Sequence, residues 1–143
     1  MDMDRITRET LIDAPVERVW ALVTQPGFWV ADPAALAGTE AVEGGSTTAR
    51  NAEHGDFPVR VERVEPPSYV AYRWASAFPG QELRADNSTL VEFFLTAEGE
   101  QTRLRVVESG FAALVAPEEL RRRAFEDNSG GWPQVLDALA ARA

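Results

Sequence analysis

Turn-forming residues cut the middle of this chain into short, evenly spaced segments, and that punctuation is the signature of an antiparallel meander. Gly44-Gly45, His54-Gly55-Asp56, Pro66-Pro67-Ser68, a polar loop from Pro79 to Asn87, and Glu98-Gly99-Glu100 supply the breaks. Between them, 46–52, 57–65, 69–77, 88–97 and 102–110 read as strands. Val59 and Val61 alternate with Arg60 and Glu62, and Val70, Tyr72 and Trp74 alternate with Tyr69, Ala71 and Arg73. Successive side chains of a strand point to opposite faces, so each pattern sorts one set inward. Residues 88–97 are rich in β-branched and aromatic side chains, which suit a half-buried pleated surface. An earlier segment, 5–12, places Ile6, Arg8, Thr10 and Ile12 on one face and Thr7, Glu9 and Leu11 on the other. Short strands joined in succession by short turns pair antiparallel.

Two segments carry the helical period instead. After Asp13-Ala14-Pro15, the residues Val16, Val19, Trp20 and Val23 form one apolar stripe. Pro15 is expected at the first helical position, where its missing N–H costs nothing, with Asp13 or Ala14 at the cap. Gln25-Pro26-Gly27 stops this helix, and Phe28-Trp29-Val30 is expected to form a second short one, ended by Asp32-Pro33. Near the C-terminus, Pro117 opens a long helix whose first turn holds Glu118 and Glu119, acids that suit the positive end of the helix dipole. Leu120, Ala124, Asn128, Trp132, Val135, Leu136 and Leu139 keep one face of it. Pro133 removes a backbone donor and disfavours helix at Trp132, so a kink or brief break is expected near 129–132.

Composition narrows the chemistry. The 143 residues fit one domain over 1–143, long enough to bury a sizeable core. There is no cysteine, which excludes disulfides, thiolate nucleophiles and Cys-ligated zinc. All 14 basic residues are arginine, which excludes lysine Schiff-base and general-base chemistry. With 23 acidic residues the formal charge is −9, a surface that repels phosphate backbones and anionic membranes. Arg121-Arg122-Arg123 is no exception, because Glu118, Glu119, Glu126 and Asp127 flank it at helical spacing. No apolar run approaches the ~20 residues of a membrane span. Met1-Asp2-Met3-Asp4-Arg5 lacks an apolar signal core. The chain therefore reads as cytoplasmic, with no nucleic-acid or membrane partner.

The order of strand, two short helices, meander and long helix carries a resemblance. Ile12-Asp13-Ala14-Pro15-Val16-Glu17-Arg18-Val19-Trp20, Val64-Glu65-Pro66-Pro67 with Tyr72-Arg73-Trp74, Ser88-Thr89-Leu90-Val91-Glu92-Phe93, Glu108-Ser109-Gly110-Phe111, and Gly131-Trp132 with Leu136 and Leu139 are the matching motifs. In these the chain resembles the bacterial homologues of the C-terminal domain of the heat-shock ATPase activator, within the START-like (SRPBCC, polyketide cyclase) superfamily. The resemblance covers nearly the whole chain. It implies an α+β helix-grip fold, a curved antiparallel sheet of six to seven strands around a long C-terminal helix, with a ligand cavity between them. The activator's separate N-terminal domain has no counterpart here, and Pro133 departs from the pattern.

On that fold Trp20, Tyr72, Trp74, Phe93, Phe111 and Trp132 are the expected walls of a pocket for an apolar or aromatic small molecule. Arg73 and Glu108 are its candidate polar handles. Glu108 shares a strand face with Leu104 and Val106, and a buried charge is costly unless paired, so an ion pair with Arg8 or Arg73 is expected. A cyclase or dehydratase, using one acid–base residue in the cavity, is the second reading. A protein-interaction module or homodimer, with an apolar patch at Phe28-Trp29 or over 111–115, is the third. His54, the one histidine, lies in a turn, and no catalytic constellation or metal-ligand spacing is present, so neither cofactor nor metal is expected.

Overall fold

All six expected strands form and join in one antiparallel sheet. The computed structural model describes residues 4–36, 40–78 and 80–143. The readings made of Met1 to Met3 and of Pro79 lie outside the described residues. The strands are β1 (Arg5–Ile12), β2 (Ser46–Asn51), β3 (Gly55–Glu65), β4 (Tyr69–Trp74), β5 (Thr89–Glu98) and β6 (Gln101–Ser109), in spatial order β1-β6-β5-β4-β3-β2. β1 thus skips the meander and pairs with its last strand, Ile6 opposite Glu108 and Ile12 opposite Thr102. A bulge between Val61 and Arg63 shifts the register of β3 against β4, a device that bends a strand and deepens sheet curvature. The inward residues of the alternation, among them Val59, Val61, Tyr72, Val91, Phe93 and Leu104, are fully buried.

Helix α1 (Val16–Val23) buries Val19, Leu22 and Val23, the face its stripe marks. Two buried hydroxyls fasten its ends to the sheet. Thr102 Oγ1 on β6 donates to Ala14 O at 2.8 Å, and the Tyr72 hydroxyl on β4 donates to Val23 O at 2.5 Å. The second contact satisfies a carbonyl that the helix end leaves without an internal partner. Pro15 occupies the cap rather than the first helical position, with an extended ψ of 156°. Pro117 does the same before α2, with ψ 146°.

The short helix expected at Phe28-Trp29-Val30 is replaced by consecutive turns, followed by a 3-10 turn over Pro33–Leu36. Gly27 is the reason. Its φ of +79° breaks the helical path, and a Cβ there would lie 2.6 Å from the Ala49 side chain. This close approach presses the 28–31 segment against β2. Asn51 Nδ2 then donates to Val30 O at 2.7 Å, and Ala52 N donates to the Asp32 carboxylate at 2.8 Å.

Helix α2 (Glu118–Arg142) is one continuous helix of 25 residues with Pro133 inside it, not the kinked or broken element expected. Its inner face buries Ala124, Trp132, Leu136 and Leu139. Pro133 cannot donate to Ser129 O, so that carbonyl is an orphan. Arg8, reaching over from β1, donates to it at 3.4 Å and to Ser129 Oγ at 2.7 Å. The inward-facing arginine thus supplies what the proline withholds. The whole is the helix-grip arrangement, with six strands.

Two outcomes are expected. Gly27→Ala destabilises by about 2–4 kcal/mol in urea unfolding, from left-handed strain plus overpacking; a neutral change would show that the Ala49 contact yields freely. Arg8→Met costs about 1–2 kcal/mol alone and less in a Pro133→Ala background, where the helix satisfies Ser129 O itself. An equal cost in both backgrounds would dissociate Arg8 from the proline.

Candidate functional site

Glu108 stands in a row of the sheet that is otherwise apolar, with Ile6, Val91, Tyr72 and Val61 successively opposite. Its exposure is 0%. A carboxyl in such a place needs partners for both oxygens. Every partner it has is neutral. Trp74 Nε1 at 2.9 Å and Thr89 Oγ1 at 2.6 Å donate to Oε2. Trp132 Nε1 on α2 donates to Oε1 at 2.8 Å. Asn128 Nδ2, also on α2, forks between the two oxygens at 3.1 and 3.2 Å and reaches Ser76 Oγ at 3.0 Å. Burial pushes the Glu108 carboxyl above the usual carboxylate range, and the four donors, which favour the charged form, offset only part of that rise. The indole N–H groups can only donate, whereas the Thr89 hydroxyl can turn and accept a hydrogen bond from the protonated acid.

The expected ion pair does not form. Arg8 is engaged at Ser129. Arg73 alternates to the other face of β4, where it stands 3.5 Å from Glu62. Glu108 spends both of its oxygens on donors from the protein itself. It holds an indole of the sheet and an indole of the helix against each other.

Those two indoles front a cavity. Trp74, Asn128 and Trp132 line a space of about 110 Å³ together with Trp29, Val30, Asp127, Gly131 and Val135. A wider recess of about 380 Å³ shares Trp29, Gly131 and Val135 with it. This recess follows one face of α2 past Gln134 and Ala138 to Arg142, with His54 on its far wall. Trp29 stands at the junction, its ring 5.1 Å from Tyr72, 5.6 Å from Trp74, 5.8 Å from Phe93 and 6.2 Å from Trp132. Its Nε1 is buried with no hydrogen-bond partner, one of two such side-chain atoms among the described residues, the other being Gln25 Oε1. Gly131 faces open space, since a Cβ there would meet nothing within 4 Å.

Of the residues singled out from the sequence, Trp74 and Trp132 line the cavity directly, while Tyr72 and Phe93 back its Trp29 wall. Trp20 is half-buried on α1, and Phe111 packs edge-on against Phe125 at 5.4 Å; neither lines these spaces. Asn128 and Gly131 were not among the expected wall residues. Asn128 could have been found as the one polar side chain on the helix's inward stripe. Gly131 was legible only as a helix interrupter, and Trp29 depends on a turn set by Gly27.

The chain belongs to the family described as Activator of Hsp90 ATPase homolog 1-like protein, which matches residues 13–143. No curated protein matches the sequence. Among solved structures it is similar to protein MLL2253 from Mesorhizobium loti, with 26% identity, a TM-score of 0.72, and coverage of 96% of this chain and 94% of that one. DynU16, from the dynemicin biosynthetic locus, is 24% identical with a TM-score of 0.70, over 96% of this chain and 46% of DynU16. The Aha1 dimer from Colwellia psychrerythraea is 17% identical with a TM-score of 0.66, over 95% and 92%. The latter two share the fold. No helix among the described residues is long and apolar enough to cross a membrane.

Glu108→Gln sets an amide N–H₂ against an indole N–H and is expected to destabilise by about 1–3 kcal/mol near pH 4. The folded carboxyl titrates above its unfolded value of about 4.3. It thus contributes stability below that value which is lost as pH rises through the folded pKa. The glutamine variant lacks this dependence, so the gap between the two proteins narrows toward pH ~7. Urea unfolding at both pH values checks this, and a widening gap would mean that the donors outweigh burial.

Proposed function

We propose that this protein binds a small apolar or aromatic molecule in the groove between α2 and the Trp29 turn, with Trp29, Trp74 and Trp132 as its walls. The observation that carries this reading is the convergence of three indoles, Trp29, Trp74 and Trp132, on one open space. Gly131 supports the same reading. A glycine inside a helix costs roughly 1 kcal/mol relative to alanine, and no neighbouring atom demands its small size. The 380 Å³ of the outer recess lies in the ordinary range for small-molecule sites, roughly 300–1,000 Å³. The inner 110 Å³ is of the order that takes one aromatic ring, since an engineered apolar cavity of ~150 Å³ holds benzene.

In this reading Glu108 is a positioning residue, fixing Trp74 and Trp132 through their indole N–H groups. The cyclase or dehydratase alternative draws less support from the geometry, because among the described residues the one carboxyl whose pKa is raised is fully enclosed by its donors. DynU16 comes from a biosynthetic locus, and handling a small molecule accords with that setting.

Neutral N-phenylnaphthylamine, which fluoresces in apolar surroundings, is a direct probe. Gly131→Leu fills the groove and is expected to weaken its binding at least roughly tenfold. Gly131→Ala should raise stability by about 0.5–1 kcal/mol. Undiminished probe binding by a folded Gly131→Leu variant would sink the groove as the binding site.

A further inference from the structure

The outer recess differs in charge from the rest of this acidic protein. His54 and Arg142 are the charged or titratable side chains that line it, and no carboxylate does. The depressions on the opposite face of the sheet hold carboxylates beside their arginines. Arg63 and Arg105 there share a hollow with Glu65 and Glu92, and Arg103 and Arg105 share one with Glu9. Arg103 is paired to Glu9 at 3.1 Å and to Glu98. Among the described residues no carboxylate oxygen lies within 4.0 Å of the Arg142 guanidinium, while its backbone carbonyl accepts from Arg18 at 2.7 Å. Arg18 thus brings a second positive group to the same end of α2, while His54 Nε2 stands 4.0 Å from the Glu53 carboxylate. The inner cavity carries the opposite sign, with Asp127 on its rim. The two spaces share Trp29, Gly131 and Val135, with Asp127 beside the inner one and Arg142 beside the outer.

From this we propose that the ligand is an amphipathic anion. Its ring system lies against Trp29 and Gly131, and its carboxylate, sulfonate or phosphate group lies at the mouth between Arg142 and His54. This rests on the groove being the binding site and adds the chemical class of what it takes. An arginine fork matches the two oxygens of such a group. A chain of formal charge −9 repels anions elsewhere on its surface, so the basic mouth selects for them locally. The mouth is open to solvent, with the His54 side chain 62% exposed, so the gain is moderate and falls with salt.

The test compares two probes with one skeleton, neutral N-phenylnaphthylamine and its sulfonated relative anilinonaphthalene sulfonate. The sulfonate is expected to bind roughly three- to tenfold more tightly at low salt. Arg142→Gln should bring it down to the affinity of the neutral probe measured on the same variant. Gly131→Leu should weaken both. If the neutral probe binds in the groove but the sulfonate gains nothing, or if Arg142→Gln leaves the ratio intact, the anionic class is overturned and the groove stands. If neither probe binds, or both survive Gly131→Leu, the groove reading falls and the anion proposal with it.

Discussion

A single buried carboxyl ties the two layers of this protein together. Apolar packing between a sheet and a helix is non-directional, and an indole ring can slide on a neighbour at little cost. Hydrogen bonds to Glu108 remove that freedom. Trp74 and Thr89 come from the sheet, Trp132 and Asn128 from the helix, and all four converge on one acid that never meets solvent. Replacing such a cluster by hydrocarbon could well preserve stability, since buried polar groups specify more than they stabilise. What hydrocarbon would not preserve is the orientation of two indoles, and those indoles front the cavity.

The rest of the scaffold serves the same geometry from further away. Thr102 and the Tyr72 hydroxyl pin the two ends of α1 to the sheet. The carbonyl freed by Pro133 is taken by Arg8, so the proline sits within α2 while the helix stays continuous beside Trp132. Gly27 allows the turn that carries Trp29 to press on β2, and two further hydrogen bonds hold the turn there. The groove between these parts is bounded by fixed elements on every side except its mouth.

Much of this was legible in the residues. Turn punctuation and period-two alternation together located every strand. The inward stripe of α2 was readable as well, including Asn128. Where reading by pattern went astray, long-range chemistry was the cause. A glutamate and an arginine on inward faces suggest each other, yet Glu108 chose neutral donors and Arg8 chose a carbonyl orphaned by a proline 125 positions further along. Neither choice has a local signature. The Phe28-Trp29-Val30 helix failed because Gly27 obeys contact with Ala49, a residue that only the folded sheet brings near. Cavities are harder still, since they depend on what packing leaves unfilled.

The pairing of β1 with β6 sets the order in which the molecule can be assembled. β1 leaves the ribosome first, but its only partner strand is made after the rest of the meander, with Ile12 opposite Thr102. The hairpins from β2 to β6 can zip locally, across short turns except between β4 and β5, which residues 75–88 join. β1 must wait, then find β6 across most of the chain, and α2 can grip only after both are in place, because Arg8 and Glu108 lie on those two strands. Long-range closure of this kind is slow relative to hairpin formation. The groove is thus the last thing to come into being, and any chain that has one has already completed its sheet.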